Sequence, residues 1–260
     1  MFGFFKQRRR AALRAQPLTE EERRWVSRAV HLWPALPPDD RHEIEATSRV
    51  FLAEKHIEGA AGLAVTDEMR WTIAAQASLM LLHRDTDVFP QLDTVLVYPH
   101  GFVVDAVHRD GPVVIAGPER RAGESWRDGL VVLAWDEVAR DVRCHHGGHN
   151  VVLHELAHQL DAEDGAVDGA PDLGSRARFV AWARVLGEEY HALGERLASG
   201  APSDIDAYGA TSPAEFFAVV TEEFYERPAV LRARHPELYA ELARFFQLDP
   251  AALEDPAPAR

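Results

Sequence analysis

The sequence has little of what several classes of protein require. Cys144 is its only cysteine, so no internal disulfide bond can form, which fits a reducing cytoplasm. No stretch approaches the ~18 consecutive apolar residues of a membrane-spanning helix. Basic residues are scarce, with 28 Lys and Arg against 42 Asp and Glu, and the formal net charge is −14. Because an acidic surface disfavours nucleic acid, we expect no direct nucleic acid binding. Because no apolar run is long enough, we also expect no membrane span.

The N-terminus lacks the order of a secretory signal, in which positive charges precede a longer apolar run. Here the apolar residues Phe2, Phe4 and Phe5 come before the three arginines at 8–10. The sequence therefore predicts a frayed N-terminus on a cytoplasmic protein.

Local patterns divide the rest of the chain into helical and β-rich stretches. Thr19 with Glu22 has the spacing of a capping box, and Thr66 precedes another segment with apolar residues at helical spacing. Short β-rich runs bounded by Gly and Pro begin at Thr94. Helical periodicity returns at Val151.

These patterns predict one domain over residues 18–249. Its helical part covers 18–90, and its mixed catalytic part covers 91–249. Residues 1–17 are predicted to be a flexible segment. The proline- and alanine-rich residues 250–260 are predicted to be a disordered tail.

The segment VVLHELAHQLD at 151–161 carries the strongest chemical signal. His154 and His158 are four residues apart, so both imidazoles share one helical face and can hold one metal ion. Imidazoles suit Zn²⁺, and a catalytic zinc keeps a position for water. Glu155 can take a proton from that water and pass it to a leaving amine. The alternative, a helix with core histidines, is costly because these polar groups would be buried without a metal or partner.

A catalytic zinc needs a third protein ligand, which we expect downstream of the motif. Glu215 is the strongest candidate, because a lone carboxylate beside Phe216 and Phe217 in an apolar helix is costly to bury unless it binds a metal or another partner. Support of the helix N-terminus is the alternative. Asp161 lies roughly 10 Å along the helix from His154, at ~1.5 Å per residue. Asp161 is therefore predicted to support the site from the helix end.

Other polar residues follow the motif. Glu222 lies seven residues after Glu215, on the same face, and is predicted to orient a ligand histidine. Glu223 is expected to face solvent, and Asp206 completes the downstream candidate carboxylates. The Tyr208 phenol could donate to the oxyanion of a tetrahedral intermediate. From the residues alone, a core tyrosine is the better explanation.

Three histidines crowd just before the zinc helix, at His145, His146 and His149, next to the only cysteine. Such a cluster could form a second metal site. The neighbouring Gly147 and Gly148 favour a solvent-exposed loop instead.

Several segments resemble the Mlc titration factor A family of bacterial metallopeptidases. The resemblance rests on HELAHQLD at 154–161, IDAY at 205–208 and AEFFAV at 214–219. It runs from about residue 18 to 250, although the N-terminal segment is unlike the usual one of the family. Further matches are Tyr98-Pro99, FVVD at 102–105, and GESW at 123–126 leading into VVL at 131–133.

The resemblance implies a gluzincin-like site, in which Glu215 is the third ligand of one zinc ion per chain and Tyr208 assists the oxyanion. It also implies a cytosolic aminopeptidase that acts on a peptide or protein. In enterobacteria the namesake of the family binds the glucose repressor Mlc and relieves repression of sugar-uptake genes. A transcriptional repressor of the Mlc type is therefore a further expected partner.

The fold class predicted here is α+β, with a zincin-like core of a small mixed sheet and an active-site helix, flanked by N- and C-terminal helices. Residues 129–135 are predicted to be an edge strand that could pair with substrate, with a plain core strand as the alternative. The predicted function is a zinc-dependent peptidase. Two rivals are a regulatory protein-binding module whose peptidase activity is secondary, and a structural zinc or metal-free core protein.

Overall fold

The computed structural model describes residues 2–84, 86–110, 113–121, 123–126, 129–145 and 147–254. In this part of the chain, no helix combines the length and apolar character that crossing a membrane requires. The strands are β1 (His56–Gly59), β2 (Thr94–Tyr98), β3 (Phe102–Asp110), β4 (Val113–Arg121), β5 (Gly123–Trp126) and β6 (Leu130–Ala134). The helices are α1 (Phe2–Arg14), α2 (Glu20–Ala29), α3 (Pro38–Glu54), α4 (Asp67–Leu81), α5 (Trp135–Arg143), α6 (Val151–Asp161), α7 (Arg176–Ala198), α8 (Pro213–Glu226), α9 (Pro228–Arg234), α10 (Pro236–Phe246) and α11 (Pro250–Glu254), with 3₁₀ turns at Ala162–Asp164 and Ala207–Ala210.

A four-stranded sheet with the order β1-β2-β6-β5 lies at the centre of the mixed part. The first three of these strands are parallel, and β5 is antiparallel to β6. Val95 pairs with Ile57 on one side and with Val131 on the other, and all three side chains are buried. β3 and β4 form a separate antiparallel hairpin. With α6 packed against β5 and β6, the predicted α+β, zincin-like fold class is confirmed.

Of the two interpretations of residues 129–135, the edge strand is wrong and the plain core strand is confirmed. Residues 130–134 form β6 between β2 and β5, and Trp135 already begins α5. β5 lies at the edge instead. The physical reason is burial: Val131, Val132 and Leu133 are all buried, and a strand covered on both faces is apolar at consecutive positions.

The N-terminal helical layer packs around α4, which contacts α2, α3 and α6. Almost all side chains of α4 are buried, and Thr66 caps it by accepting a hydrogen bond from the Met69 amide at 3.3 Å. At the start of α2, Thr19 Oγ1 accepts from the Glu22 amide at 3.2 Å, and the Glu22 carboxylate accepts from the Thr19 amide at 2.7 Å. The predicted capping box is confirmed.

The two chain ends are more ordered than the sequence predicts. Residues 2–14 form α1 because its basic side chains find acidic partners: Arg10 donates to both carboxylate oxygens of Glu54, at 2.7 and 2.6 Å. Residues 250–254 form α11, and Ala251 is buried with its amide donating to the Tyr239 hydroxyl at 2.9 Å. Proline at a first helical position starts a helix without losing a hydrogen bond. The remaining predicted tail, 255–260, lies outside the described residues.

Candidate metal centre

The motif helix α6 is buried between the sheet and other helices, with contacts to β5, β6, α4 and α8. Its apolar side chains Val152, Leu153 and Leu156 pack into the core and are nearly inaccessible. Asn150 caps the helix by accepting from the Leu153 amide at 3.2 Å. The polar face of this buried, capped helix is turned towards α8.

The three predicted ligand residues lie together. His154 Nε2 is 3.0 Å from Glu215 Oε2, and His158 Nε2 is 3.3 Å from the same oxygen. One ligand atom from each residue lies within 4.8 Å of the others. In a tetrahedral zinc site with bonds of about 2.0–2.2 Å, neighbouring ligand atoms are about 3.3 Å apart. The donor set therefore has the chemistry and the spacing that a zinc ion needs.

Glu215 reaches the histidines because α8 runs antiparallel to α6. The Ser212 hydroxyl accepts from the Glu215 amide at 3.2 Å and caps α8, and Pro213 occupies its first turn. The start of α8 therefore faces His158, while its later turns face Asn150 at the start of α6.

Glu222 lies behind the first histidine. Its Oε1 is 2.7 Å from His154 Nδ1, and its Oε2 accepts from the Asn150 amide at 2.5 Å. A carboxylate at Nδ1 keeps the proton on that nitrogen, so Nε2 can face a metal. Glu222 is placed where the sequence analysis expects it, and it also ties the start of α6 to α8.

Burial and charge act in opposite directions on the acids of the site. Burial raises the pKa of Glu155 to about 7, and the nearby His154 and His158 oppose that rise. Burial also raises the pKa of Glu215, but hydrogen bonds from both histidines outweigh burial and hold its pKa well below the usual range. For His154, burial lowers the pKa, while Glu222 and Glu215 raise it well above its ordinary value. The site therefore favours a positive charge at its centre, as a divalent metal ion supplies.

Gly123, on the edge strand β5, lies directly against Glu155. A Cβ atom on Gly123 would be 2.4 Å from Glu155 Oε1, a separation that real structures do not tolerate. The missing side chain lets the carboxylate lie against the strand backbone and face the cavity. The sequence analysis did not identify this residue, although glycine at the start of a strand is a sign of a close approach.

Tyr208 lies on the rim, on the 3₁₀ turn Ala207–Ala210. Its amide donates to Asp206 Oδ1 at 2.8 Å, which fixes the turn. The ring centroid is 5.9 Å from that of His154, and the side chain is 43% exposed. Tyr208 is therefore not a core residue, and its exposure leaves the ring at the mouth of the site.

A cavity of about 1070 Å³ opens over the cluster. It is large enough for a peptide segment, since small-molecule sites typically enclose about 300–1,000 Å³. Its walls come from β5, α6, α8 and the loop that ends at Tyr208. Besides the three clustered ligand residues, the lining includes Gly123, His149, Asp204, Asp206, Glu223 and Arg227.

Asp161 supports the site from a distance. Its Oδ2 accepts from the Gly169 amide at 2.9 Å. A Cβ on Gly169 would be 2.3 Å from the Pro213 carbonyl oxygen, so this loop lies tightly against the start of α8. Asp161 thus holds the loop that packs beside the helix carrying Glu215.

The expectation that Glu223 faces solvent is wrong. Glu223 is buried, and its carboxylate accepts from Arg227 Nε at 2.7 Å. Arg227 also donates to the Asp204 carbonyl at 3.0 Å. The pairing with Arg227 removes the need for solvent at this carboxylate.

Of the three histidines before α6, the structure describes His145 and His149, and these two have different surroundings. His149 is exposed at the cavity wall, with Nδ1 3.3 Å from Asp141 Oδ2. His145 is half-buried beside His31, so the expectation of a solvent-exposed loop does not describe it. His146 lies outside the described residues.

Asn150 and Glu226 were also missed by the sequence analysis. Asn150 Nδ2 donates to Glu226 Oε1 at 2.9 Å, beside the contact of Asn150 with Glu222. A usable signal existed, because Glu222 and Glu226 are four residues apart and so share a helical face.

We expect Gly123→Ala to lower kcat by about 10–100-fold, because displacing a catalytic group by an ångström has that order of effect. Metal content should not change, since no ligand moves. Gly187→Ala is the matched control, because a Cβ at Gly187 meets nothing within 4 Å. Kinetics on an unblocked peptide, with metal analysis of the same samples, checks this. Full activity of Gly123→Ala would show that Glu155 does not need its position against β5.

We expect Glu222→Gln to weaken binding of the catalytic metal by about 10–100-fold, since it removes the charge behind His154 but keeps the shape. The measurement is the free metal concentration that restores half-maximal activity in metal buffers. Glu45→Gln, at another buried acid in the N-terminal layer, serves as the control. An unchanged half-maximal concentration would contradict the orienting role of Glu222.

Comparison with known proteins agrees with this geometry. A sequence model described as glucose-regulated metallo-peptidase M90 matches residues 4–247. An uncharacterized protein of Synechocystis is 44% identical over 217 residues, covering 83% of this chain and 79% of the relative. Mlc titration factor A of Serratia proteamaculans is 32% identical over 247 residues, with 91% of each chain covered. Mlc titration factor A of Edwardsiella ictaluri is 33% identical over 226 residues, with 85% of each chain covered. The family resemblance predicted from the motifs is confirmed, and the chain belongs to the glucose-regulated metallo-peptidase family M90.

Proposed function

We propose that this metallopeptidase is a zinc aminopeptidase whose metal ligands are His154, His158 and Glu215. The observation that carries the proposal is the convergence of two imidazoles and one carboxylate next to the buried Glu155. The Nε2 atoms of His154 and His158 are 3.0 and 3.3 Å from Glu215 Oε2. Two histidines and a glutamate form a ligand set typical of catalytic zinc. When bound, zinc polarises the scissile carbonyl and makes water a stronger acid.

The residues of the chain then have separate tasks. Glu155 takes a proton from the attacking water and transfers it to the leaving amine. Its raised pKa, about 7, suits a group that both accepts and returns a proton near neutral pH. Tyr208, at the rim, donates its hydroxyl hydrogen to the developing oxyanion. Glu222 keeps His154 oriented throughout.

Acidic groups in the cavity support action at a free amino terminus. Asp204 and Asp206 line the cavity, and Arg227, the only Lys or Arg among the described lining residues, is paired with Glu223. A carboxylate-rich wall attracts the ammonium group of a peptide and repels a carboxylate terminus. This arrangement favours an aminopeptidase over a carboxypeptidase.

The catalytic proposal predicts that Glu155→Gln lowers kcat by about 10²–10⁴-fold, the usual contribution of general acid–base catalysis. Its zinc content should equal that of the wild type, because Glu155 is not a ligand. Glu45→Gln should keep full activity. Peptide turnover and elemental analysis on the same preparations test this, and a Glu155→Gln variant with wild-type turnover would refute the mechanism.

The aminopeptidase proposal predicts that acetylating the substrate amino terminus lowers kcat/KM by about 10–100-fold, the loss of one charge-assisted hydrogen bond of ~1.5–3 kcal/mol. Asp206→Asn should reduce the difference between free and acetylated peptides. Equal rates on both peptides in the wild type would instead indicate an endopeptidase.

A second proposed role is binding of a transcriptional repressor. Its support is the name of two relatives, Mlc titration factor A, which refers to the repressor Mlc. Such a partner requires the cytoplasmic location that the sequence predicts. Wild type and Glu155→Gln together separate the two roles, because a repressor that binds both and that the wild type does not cleave is a partner and not a substrate.

A further inference from the structure

A second cluster of metal-binding residues lies outside the cavity lining. His31, His145 and Glu226 each offer a ligand atom, and these atoms lie within 4.8 Å of one another. His31 follows α2, His145 follows α5, and Glu226 is the last residue of α8. The rings of the two histidines are 5.5 Å apart, tilted by 33°. Three segments that are remote in the sequence therefore converge on one point.

Burial makes this cluster unusual. Glu226 is 3% exposed, the His31 side chain is 7% exposed, and His145 is half-buried. Buried charges in proteins are paired or coordinate metals, and a carboxylate with two imidazoles is a donor set that one divalent metal ion can bind at once.

A carboxylate also lies behind one of these histidines. Glu254 Oε1, on α11, is 3.1 Å from His31 Nε2. In the other cluster a carboxylate also contacts a ring nitrogen of a histidine, since Glu222 lies against Nδ1 of His154. Histidines that bind metals regularly have such a carboxylate on the second ring nitrogen, where it fixes the tautomer.

The cluster is joined to the catalytic centre through one residue. Glu226 Oε1 accepts from Asn150 Nδ2 at 2.9 Å, and the Asn150 amide donates to Glu222. Asn150 in turn caps α6, which carries His154. Holding Glu226 therefore holds the start of the catalytic helix.

We propose that His31, His145 and Glu226 bind a second divalent metal ion, with zinc as the expected occupant, that joins the N-terminal layer to α6 and α8. Two imidazoles and one carboxylate suit zinc among the common divalent ions. The role of this ion is structural, because no residue of the cluster lines the cavity over the catalytic site. Its occupancy stabilises the fold, since a metal that binds only the folded state adds its binding energy to folding.

The test is the zinc content of the full-length protein after loading with Zn²⁺ and dialysis. We expect about two zinc ions per chain in the wild type and about one in His145→Gln, as each site has its own ligand set. His42→Gln, an exposed histidine on α3, is the control and should keep the wild-type content. His145→Gln with undiminished zinc would overturn the proposal.

A variant without the catalytic site separates this proposal from the proposed function. Glu215→Ala should retain about one zinc ion, and Glu215→Ala with His145→Gln should retain none. Zinc should raise the Tm of Glu215→Ala but not that of the double variant. No zinc in Glu215→Ala would overturn the second site, whereas two in that variant would overturn the catalytic ligand set and leave the second site standing. If His145→Gln does not fold, His31→Gln replaces it in the same comparison.

Discussion

The position of the catalytic centre depends on the carboxylate of Glu222. One oxygen contacts His154, and the other accepts from the backbone amide of Asn150 at the start of α6. The same group therefore orients a ligand and fixes the register between the two antiparallel helices. Since α6 and α8 are both buried, a rotation of either one would separate Glu215 from the histidines. The proposed ligand set therefore depends on the register of this helix pair.

The carboxylates of α8 explain why the site needs a cation. Glu215, Glu222 and Glu226 recur along one side of the helix, at the spacing of a single helical face. Each reaches an imidazole or an amide of another segment, and two of them are buried. Burying so much negative charge is unfavourable without compensation. A cation bound by these carboxylates would therefore also stabilise the packing of α8 against α6, because it would compensate their buried negative charge.

The sheet contributes to the chemistry through its edge. β5 brings the backbone at Gly123 against Glu155, and it does so from the side that also borders the cavity. Glu155, the proposed general base, is thus held between the helix that carries it and a strand that limits where it can point. A larger residue at this edge would push the Glu155 carboxylate out of its position, which is why a glycine in this short strand matters for the proposed reaction.

The sequence by itself determined the elements and the chemistry that are local. The four-residue spacing of His154 and His158, the capping box at Thr19 and the apolar periodicities follow from helical geometry, and the motifs identified the family. Only the tertiary structure decided which distant groups meet. It placed Glu215 beside the histidines, turned Glu223 inward against Arg227, put β5 rather than β6 at the edge, and ordered the chain ends through contacts such as that of Arg10 with Glu54. Periodicity specifies which face of an element is apolar. The segment that packs against that face is far away in the chain, so no local pattern identifies it.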